Sequence, residues 1–296
     1  MLTKFMIVAL CLFWSYIYLI DNQKVIHLHI STDQPTTNNQ EITLSSSSGI
    51  KVFIPKKEHN TYSWKMKSAN LNKNFNNLFL DNDIKKKINS SVNKLLTDDD
   101  FYNKFAIPRK LTFLVHGTPG CGKSALYLTL ANTYKMPVYI IKPDIISDNN
   151  AVEIISSIPD NSILLFEEID TFGIQNRNDS IIDQNNMKKL LTMFEILDGY
   201  YTLPYKSIII ITTNYLDRLD QALYRKGRVD HVIEFTKPKY DTVKEMFEYY
   251  YNQTQMTSVN DDDIKWTLLA KRSFVDYLTA IMNHIDNPKG ALKVLS

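Results

Sequence analysis

The sequence predicts an α/β chain: a P-loop, doubly wound parallel sheet with a small helical lid, preceded by an N-terminal membrane anchor and a short β-rich segment. Three observations carry that reading. The runs Leu111 to Val115, Ile163 to Phe166 and Ile208 to Ile211 are almost wholly apolar, as strands buried on both faces are. Helical spacing of apolar residues fills intervals between them. A glycine-rich loop follows the first run, where a strand would hand over to a helix.

The bulk numbers exclude some classes and permit others. With 296 residues, 44% hydrophobic and 22% charged, the chain is an ordinary folded one, long enough for a substantial core. A formal net charge of +2 demands no polyanionic partner. The two cysteines, Cys11 and Cys121, offer no disulfide framework, so a reducing compartment is expected.

Residues Phe5 to Ile20 carry no charge. As a helix they reach roughly 24 Å, close to a hydrocarbon core of about 30 Å. Trp14, Tyr16 and Tyr18 lie toward one end, as interfacial aromatics do. No small-x-small cleavage site precedes Asp21, so an anchor is preferred to a cleaved leader.

From Val25 to about Lys67 the chain reads as short strands, "VIHLHI", "EITL", "KVFI" and "YSWKM". His27 and His29 share a strand face but have no third ligand near them, so no metal site is read there. Lysines alternate with Phe53, Tyr62 and Trp64 over Lys51 to Lys73, a pattern that would suit single-stranded nucleic acid; a solvated β-layer with alternating faces is the preferred reading. After Asn82, Ile84, Ile88, Val92 and Leu95 mark a helix face, and Asp98 to Asp100 and Pro108 end it. A strand at Pro137 to Ile141 and a helix near Ala151 to Ile158 follow the loop.

The chemistry begins at "HGTPGCGKS". Three of the eight glycines in the chain, Gly117, Gly120 and Gly122, fall within six residues, and the stretch fits G-x-x-x-x-G-K-[ST]. Gly117, Thr118, Pro119, Gly120, Cys121 and Gly122 would curl backbone N–H groups around phosphate oxygens. The helix from Lys123 adds its partial positive charge, Lys123 reaches the β- and γ-phosphates, and Ser124 offers a hydroxyl to Mg²⁺. ATP and Mg²⁺ are therefore the expected ligands. Cys121 is read as a tolerated small residue.

The run "ILLFEEID" ends in three carboxylates within four residues. Glu167 is expected to hold the metal through its water shell, and Glu168 to polarise the hydrolytic water; the extra methylene in Glu167 relative to aspartate is absorbed by intervening waters. In "IIIITTNYLDRLDQALYRKGRVD", Asn214 closes a third strand within reach of a γ-phosphate or water. Arg225 and Arg228 suit a finger acting on a neighbouring subunit's phosphate. Their alternative use is a surface ion pair with Asp217 or Asp230.

Taken together these motifs resemble the AAA family of ring-forming ATPases from about Leu71 onward. Within it, "GTPGCGKS", the metal-side Glu167, "LLTMFEILDGY", "FAIPRK" and "NPKGALKVL" are similar to the Bcs-type group, inner-membrane chaperones that translocate the folded Rieske iron–sulfur protein in mitochondria. That group carries Glu-Asp where this chain carries Glu167-Glu168, and its middle segment is longer. The resemblance implies an ATP hydrolase working as a homo-oligomeric ring on a protein client. It also implies a mitochondrial inner membrane, or another intracellular membrane, with the ATPase on an ATP-containing side. That requirement overrides Lys4 ahead of the span, which by the positive-inside rule would export the body. The expected division is an anchor over 1–22, a β-rich segment over 23–70, the ATPase body over 71–238 and the lid over 239–296. No H-E-x-x-H is present to make a protease. The alternative is a nucleic-acid loader, which the balanced charge disfavours.

Overall fold

The apolar runs become the central strands of one sheet. A computed structural model describes residues 49–58, 61–142, 150–172, 184–199, 202–269 and 271–295. The strands are β1 (Ile50–Glu58), β2 (Thr61–Ala69), β3 (Lys110–His116), β4 (Val138–Ile140), β5 (Ile163–Phe166), β6 (Ser207–Thr213) and β7 (His231–Glu234). They form a seven-stranded sheet in the order β2-β1-β4-β5-β6-β3-β7, parallel except for the β1–β2 hairpin at one edge.

Strands β5 and β6 are buried along their whole length, which explains their unbroken apolar character. Alternate residues serve opposite faces. Phe113, Val115, Ile208 and Ile210 join one core with Ile88, Val92 and Leu95 of α1 (Asn82–Thr97) and with Leu126 and Leu130 of α3 (Lys123–Tyr134). Leu114, Phe166, Ile209 and Ile211 join the other, with Ile155 of α4 (Ala151–Ser156) and Leu190 and Met193 of α5 (Gln184–Asp198). Helices on both faces of a mostly parallel sheet make the doubly wound architecture.

Two expectations change. The carboxylates after Leu96 do not simply stop the helix. Asp98 accepts a hydrogen bond from the Phe101 backbone N–H (3.0 Å) and so caps a second helix, α2 (Asp99–Phe105). Nor is the described part of the β-rich segment a layer of its own. Val52 and Phe53 of β1 pair with Val138 and Tyr139 of β4, across the boundary expected at residue 70. Phe53 stacks on Tyr139 with centroids 4.6 Å apart, and Trp64 meets the same ring edge-on at 4.8 Å. The aromatic content of the hairpin, which resembled a base-stacking surface in sequence, is the glue of the sheet edge.

The C-terminal helices α6 (Tyr240–Tyr250), α7 (Gln253–Met256), α8 (Asp261–Leu269), α9 (Phe274–Asn283) and α10 (Pro288–Leu295) enclose a third core around Val243, Phe247, Tyr277, Ile281 and Leu292. The expected anchor at Phe5 to Ile20, the strands at "VIHLHI" and "EITL", and His27 and His29 lie outside the described residues. Among the described residues no helix is long and apolar enough to cross a membrane.

Candidate active site

In this topology the chain leaves β3 for β4, fills in β5 and β6 on the way back, and crosses to β7 on the far side of β3. The carboxyl end of β3 is thus the switch point of the sheet, where open α/β sheets place ligands. Register delivers the parts there: His116 pairs with Thr213 and Glu234, and Phe166 pairs with Ile211. Gly117 and Asn214 therefore emerge at one level, and Glu167 leaves its shorter strand two residues earlier on the same edge.

The loop has local reasons for its glycines. Gly117 sits at φ 141°, and a Cβ there would lie 2.1 Å from the Phe235 carbonyl oxygen, because the exit of β7 bonds back to His116 through the Phe235 N–H (2.7 Å). Gly122, at φ 89°, forms the N-cap of α3, and no side chain caps that helix end. Its first N–H groups are left to a ligand. Cys121 is buried beneath the loop, with its Sγ 2.9 Å from the Thr118 hydroxyl, so it packs as a small residue.

Lys123 donates to the carbonyl oxygens of Gly117 (2.7 Å) and Thr118 (3.3 Å) and to Oδ1 of Asn214 (2.7 Å). Burial holds its ammonium below the ordinary lysine range, against the opposing pull of Glu168 and Asp170. A half-buried cation whose hydrogen-bond partners are all neutral oxygens, at an uncapped helix N-terminus, fits an anion. The loop also borders a cavity of about 580 Å³ lined by His116, Gly117, Thr118, Asn214, Tyr224 and Glu234 among others.

The two glutamates part company. Glu168 has a left-handed backbone at φ 48°, an uncommon geometry for a residue with a side chain, and its N–H donates to the Thr212 hydroxyl (2.9 Å). Its side chain is exposed, whereas Glu167 is partly buried. Burial raises the Glu167 carboxyl above its usual range, and a hydrogen bond from Tyr127 opposes that rise. The Tyr127 phenol is pushed well above the ordinary tyrosine value, chiefly by burial and then by the nearby Glu167 carboxylate. Ser124 and Glu167 are both oxygen donors suited to Mg²⁺.

Sequence reasoning overlooked three residues here. Asp170 accepts from the Thr213 hydroxyl (2.8 Å) and from the Asn214 N–H (3.1 Å), which ties the end of β6 to the end of β5. Its signal was in view as the third carboxylate of the run. Tyr127 stands one helical turn past Ser124, a spacing at which side chains meet. From the lid, the Val275 N–H donates to the Gly120 carbonyl (3.4 Å), a contact without any local signal.

The arginines are not equivalent. Arg228 is buried (6% exposed) and bidentate to Asp198, at 2.7 and 2.6 Å, with a third bond to the Ala222 carbonyl (2.7 Å) and its guanidinium 3.9 Å from the centre of the Phe194 ring. Arg228 directs these donors within its own chain, to Asp198 rather than to Asp217 or Asp230. Arg225 keeps 62% of its side chain exposed, 3.8 Å from the same carboxylate.

Residues 113–237 match the ATPase family associated with various cellular activities (AAA). Among curated proteins, "Probable mitochondrial chaperone BCS1-A" of Dictyostelium discoideum is 28% identical over 61% of this chain and 44% of its own length. "Probable mitochondrial chaperone bcs1" of Schizosaccharomyces pombe is 28% identical over 62% of this chain and 41% of its own. "Protein HYPER-SENSITIVITY-RELATED 4" of Arabidopsis thaliana is 29% identical over 61% and 34%. The chain spans less than half the length of each of these relatives.

Proposed function

The chain carries an AAA ATPase domain, and from that premise we propose that it hydrolyses ATP and couples the reaction to remodelling or translocating a protein client. The observation that carries the reading is Lys123, a half-buried cation with only neutral hydrogen-bond partners, set between an uncapped helix end and the Glu168 carboxylate. In the proposed reaction the loop N–H groups and Lys123 bind the phosphates. Ser124 and Glu167 would hold Mg²⁺, which would supply positive charge against the bound phosphates. Glu168 takes the proton of the attacking water, and Asn214, fixed through Asp170, orients it. Arg225 meets the phosphate of the adjoining subunit in a ring, while Arg228 holds the turn that presents it.

The chaperone role, the ring and the membrane site belong to the same proposal. They draw on the names of two relatives, each called a "Probable mitochondrial chaperone", and on the charge-free run Phe5 to Ile20. The test is a pair of measurements on the full chain. Glu168→Gln should bind ATP and retain it uncleaved, and proteins captured with that trapped form should include the client. Wild-type protein that releases no phosphate from ATP under any assembly condition would end the hydrolase reading. Alkaline carbonate extraction should leave the chain in the membrane pellet; recovery in the soluble fraction would remove the anchor.

A further inference from the structure

Glu168 carries a side chain on a left-handed backbone, at φ 48°. There the Cβ crowds the following carbonyl, so the conformation persists only where neighbours enforce it. Two threonines do so, through hydrogen bonds to the Glu168 backbone. Its N–H donates to the Thr212 hydroxyl (2.9 Å). Its carbonyl accepts from the N–H (2.9 Å) and from the hydroxyl (2.8 Å) of Thr171. The peptide groups on both sides of the Glu168 Cα are thereby fixed.

We infer that Thr212 is a positioning residue for the proposed general base: its buried hydroxyl locks the left-handed backbone of Glu168 and so sets the direction of the carboxylate. The inference rests on the hydrolase reading above and deepens it. Strand β5 ends at Phe166, so the Glu168 N–H has already left the ladder. Strand β6 runs on to Thr213, and its Thr212 side chain takes the N–H that no ladder carbonyl reaches. Thr212 is buried, which keeps water from replacing the bond, whereas Thr171 is exposed in the short 3₁₀ turn Ile169–Phe172 and is the weaker hold. The next residue of β6 makes a similar crossing: the Thr213 hydroxyl donates to the Asp170 carboxylate at 2.8 Å, so the two strand ends cannot slide apart. Released from this grip, φ would return toward an ordinary value of about −63°, turning the side chain by roughly 110° about the N–Cα bond. A carboxylate that takes a proton from water needs that direction as much as its charge, because the transfer occurs only within hydrogen-bond reach.

The alternative is that Thr212 only packs the end of β6 and its hydroxyl found the nearest donor. The experiment uses the full chain as wild type, Thr212→Val, Thr212→Ser, Glu168→Ala and Glu168→Gly. ATP turnover and nucleotide affinity are measured on the first three, and thermal melting without nucleotide on the last two. A misdirected base forfeits part of the typical 10²–10⁴-fold of general-base catalysis, so Thr212→Val should lower kcat about 10–100-fold and leave nucleotide affinity unchanged. Thr212→Ser keeps the hydroxyl and should recover most of the rate. Glu168→Gly should melt higher than Glu168→Ala, the reverse of the usual order, because glycine takes the left-handed backbone without strain. An unchanged kcat in Thr212→Val would overturn the inference. So would a serine variant as slow as the valine one, or a loss of nucleotide affinity along with kcat, which would mark a packing role. Glu168→Ala melting at or above Glu168→Gly would show that no strain is held at this position, and the inference would fall even where Thr212→Val does not fold. Wild-type protein that releases no phosphate would instead bring down the hydrolase reading, and the inference with it, whichever way the melting order runs.

Discussion

Two basic regions flank the cleft, and the fold treats them in opposite ways. At the loop, Lys123 is half-buried and its hydrogen bonds go only to Gly117, Thr118 and Asn214. At the turn after β6, Arg228 is almost wholly buried and finds a bidentate carboxylate, a carbonyl and a ring face. Desolvating a cation is costly unless a counter-charge is supplied. Arg228 has its counter-charge within the subunit, so it stabilises the turn. Lys123 has no carboxylate among its hydrogen-bond partners, and the pull of Glu168 and Asp170 does not offset its burial, so the site is left short of negative charge until an anion arrives. Both are basic residues in strong motifs; only their partners separate a binding role from a structural one.

The widest separation is expected within the turn itself. Arg225→Ala should leave ATP binding intact and lower kcat by about 10³-fold or more, the usual worth of such a finger. Mixing it with Glu168→Gln should restore part of the rate, because an intact arginine then faces an intact glutamate in some subunit pairs. Failure of rescue, with assembly shown to be intact, would place Arg225 outside the reaction.

Next in size is the loop. Lys123→Met should weaken nucleotide binding roughly 10- to 100-fold, the value of one or two hydrogen bonds to a charged group. The same change should raise the melting temperature of nucleotide-free protein. A lysine whose folded pKa is depressed opposes folding in full below that folded value, and the opposition fades only as pH rises from it to the higher unfolded value. Lys123→Met protein that melts lower than wild type would break the contrast drawn here.

Arg228→Ala should do the reverse, with nucleotide affinity retained and unfolding easier by about 2 kcal/mol. That figure is below the usual loss for a broken buried pair because Asp198 is 42% exposed and water can take the place of its partner. Urea unfolding followed by tryptophan fluorescence would measure it.

The smallest effect concerns acid. The hydrogen bonds from Arg228 hold the Asp198 carboxyl below the usual aspartate range. A depressed carboxylate contributes stability that is present above the unfolded value, about 3.9, and disappears as pH falls through the folded one. Wild-type stability should therefore fall over that interval more steeply than that of Arg228→Ala. Parallel curves would show that the pair has no part in acid unfolding.

Much of this site was legible along the chain because its parts are local. The loop residues Gly117 to Ser124 are consecutive, and the helix that follows them begins where the motif says. Glu167 and Glu168 sit where an apolar run meets its first charges, and Asn214 closes another run. These are sequence-adjacent features, set by backbone periodicity and by the cost of burying charge. Even Asp170 and Tyr127 were within three residues of recognised groups.

What the sequence by itself determined is the buried strands β3 to β6, the glycine loop and the glutamate pair, but not β7, since an unbroken apolar run and a glycine cluster constrain the backbone through short-range sterics and burial. What only the tertiary structure decided is which distant residue meets each of them. Asp198 lies 30 residues from Arg228 and captures it, and Tyr139 gathers Phe53 and Trp64 into the sheet edge. Such pairings depend on strand order and helix placement across the whole unit. A cation, a ring or a carboxylate reads the same along the chain whichever partner the fold brings to it.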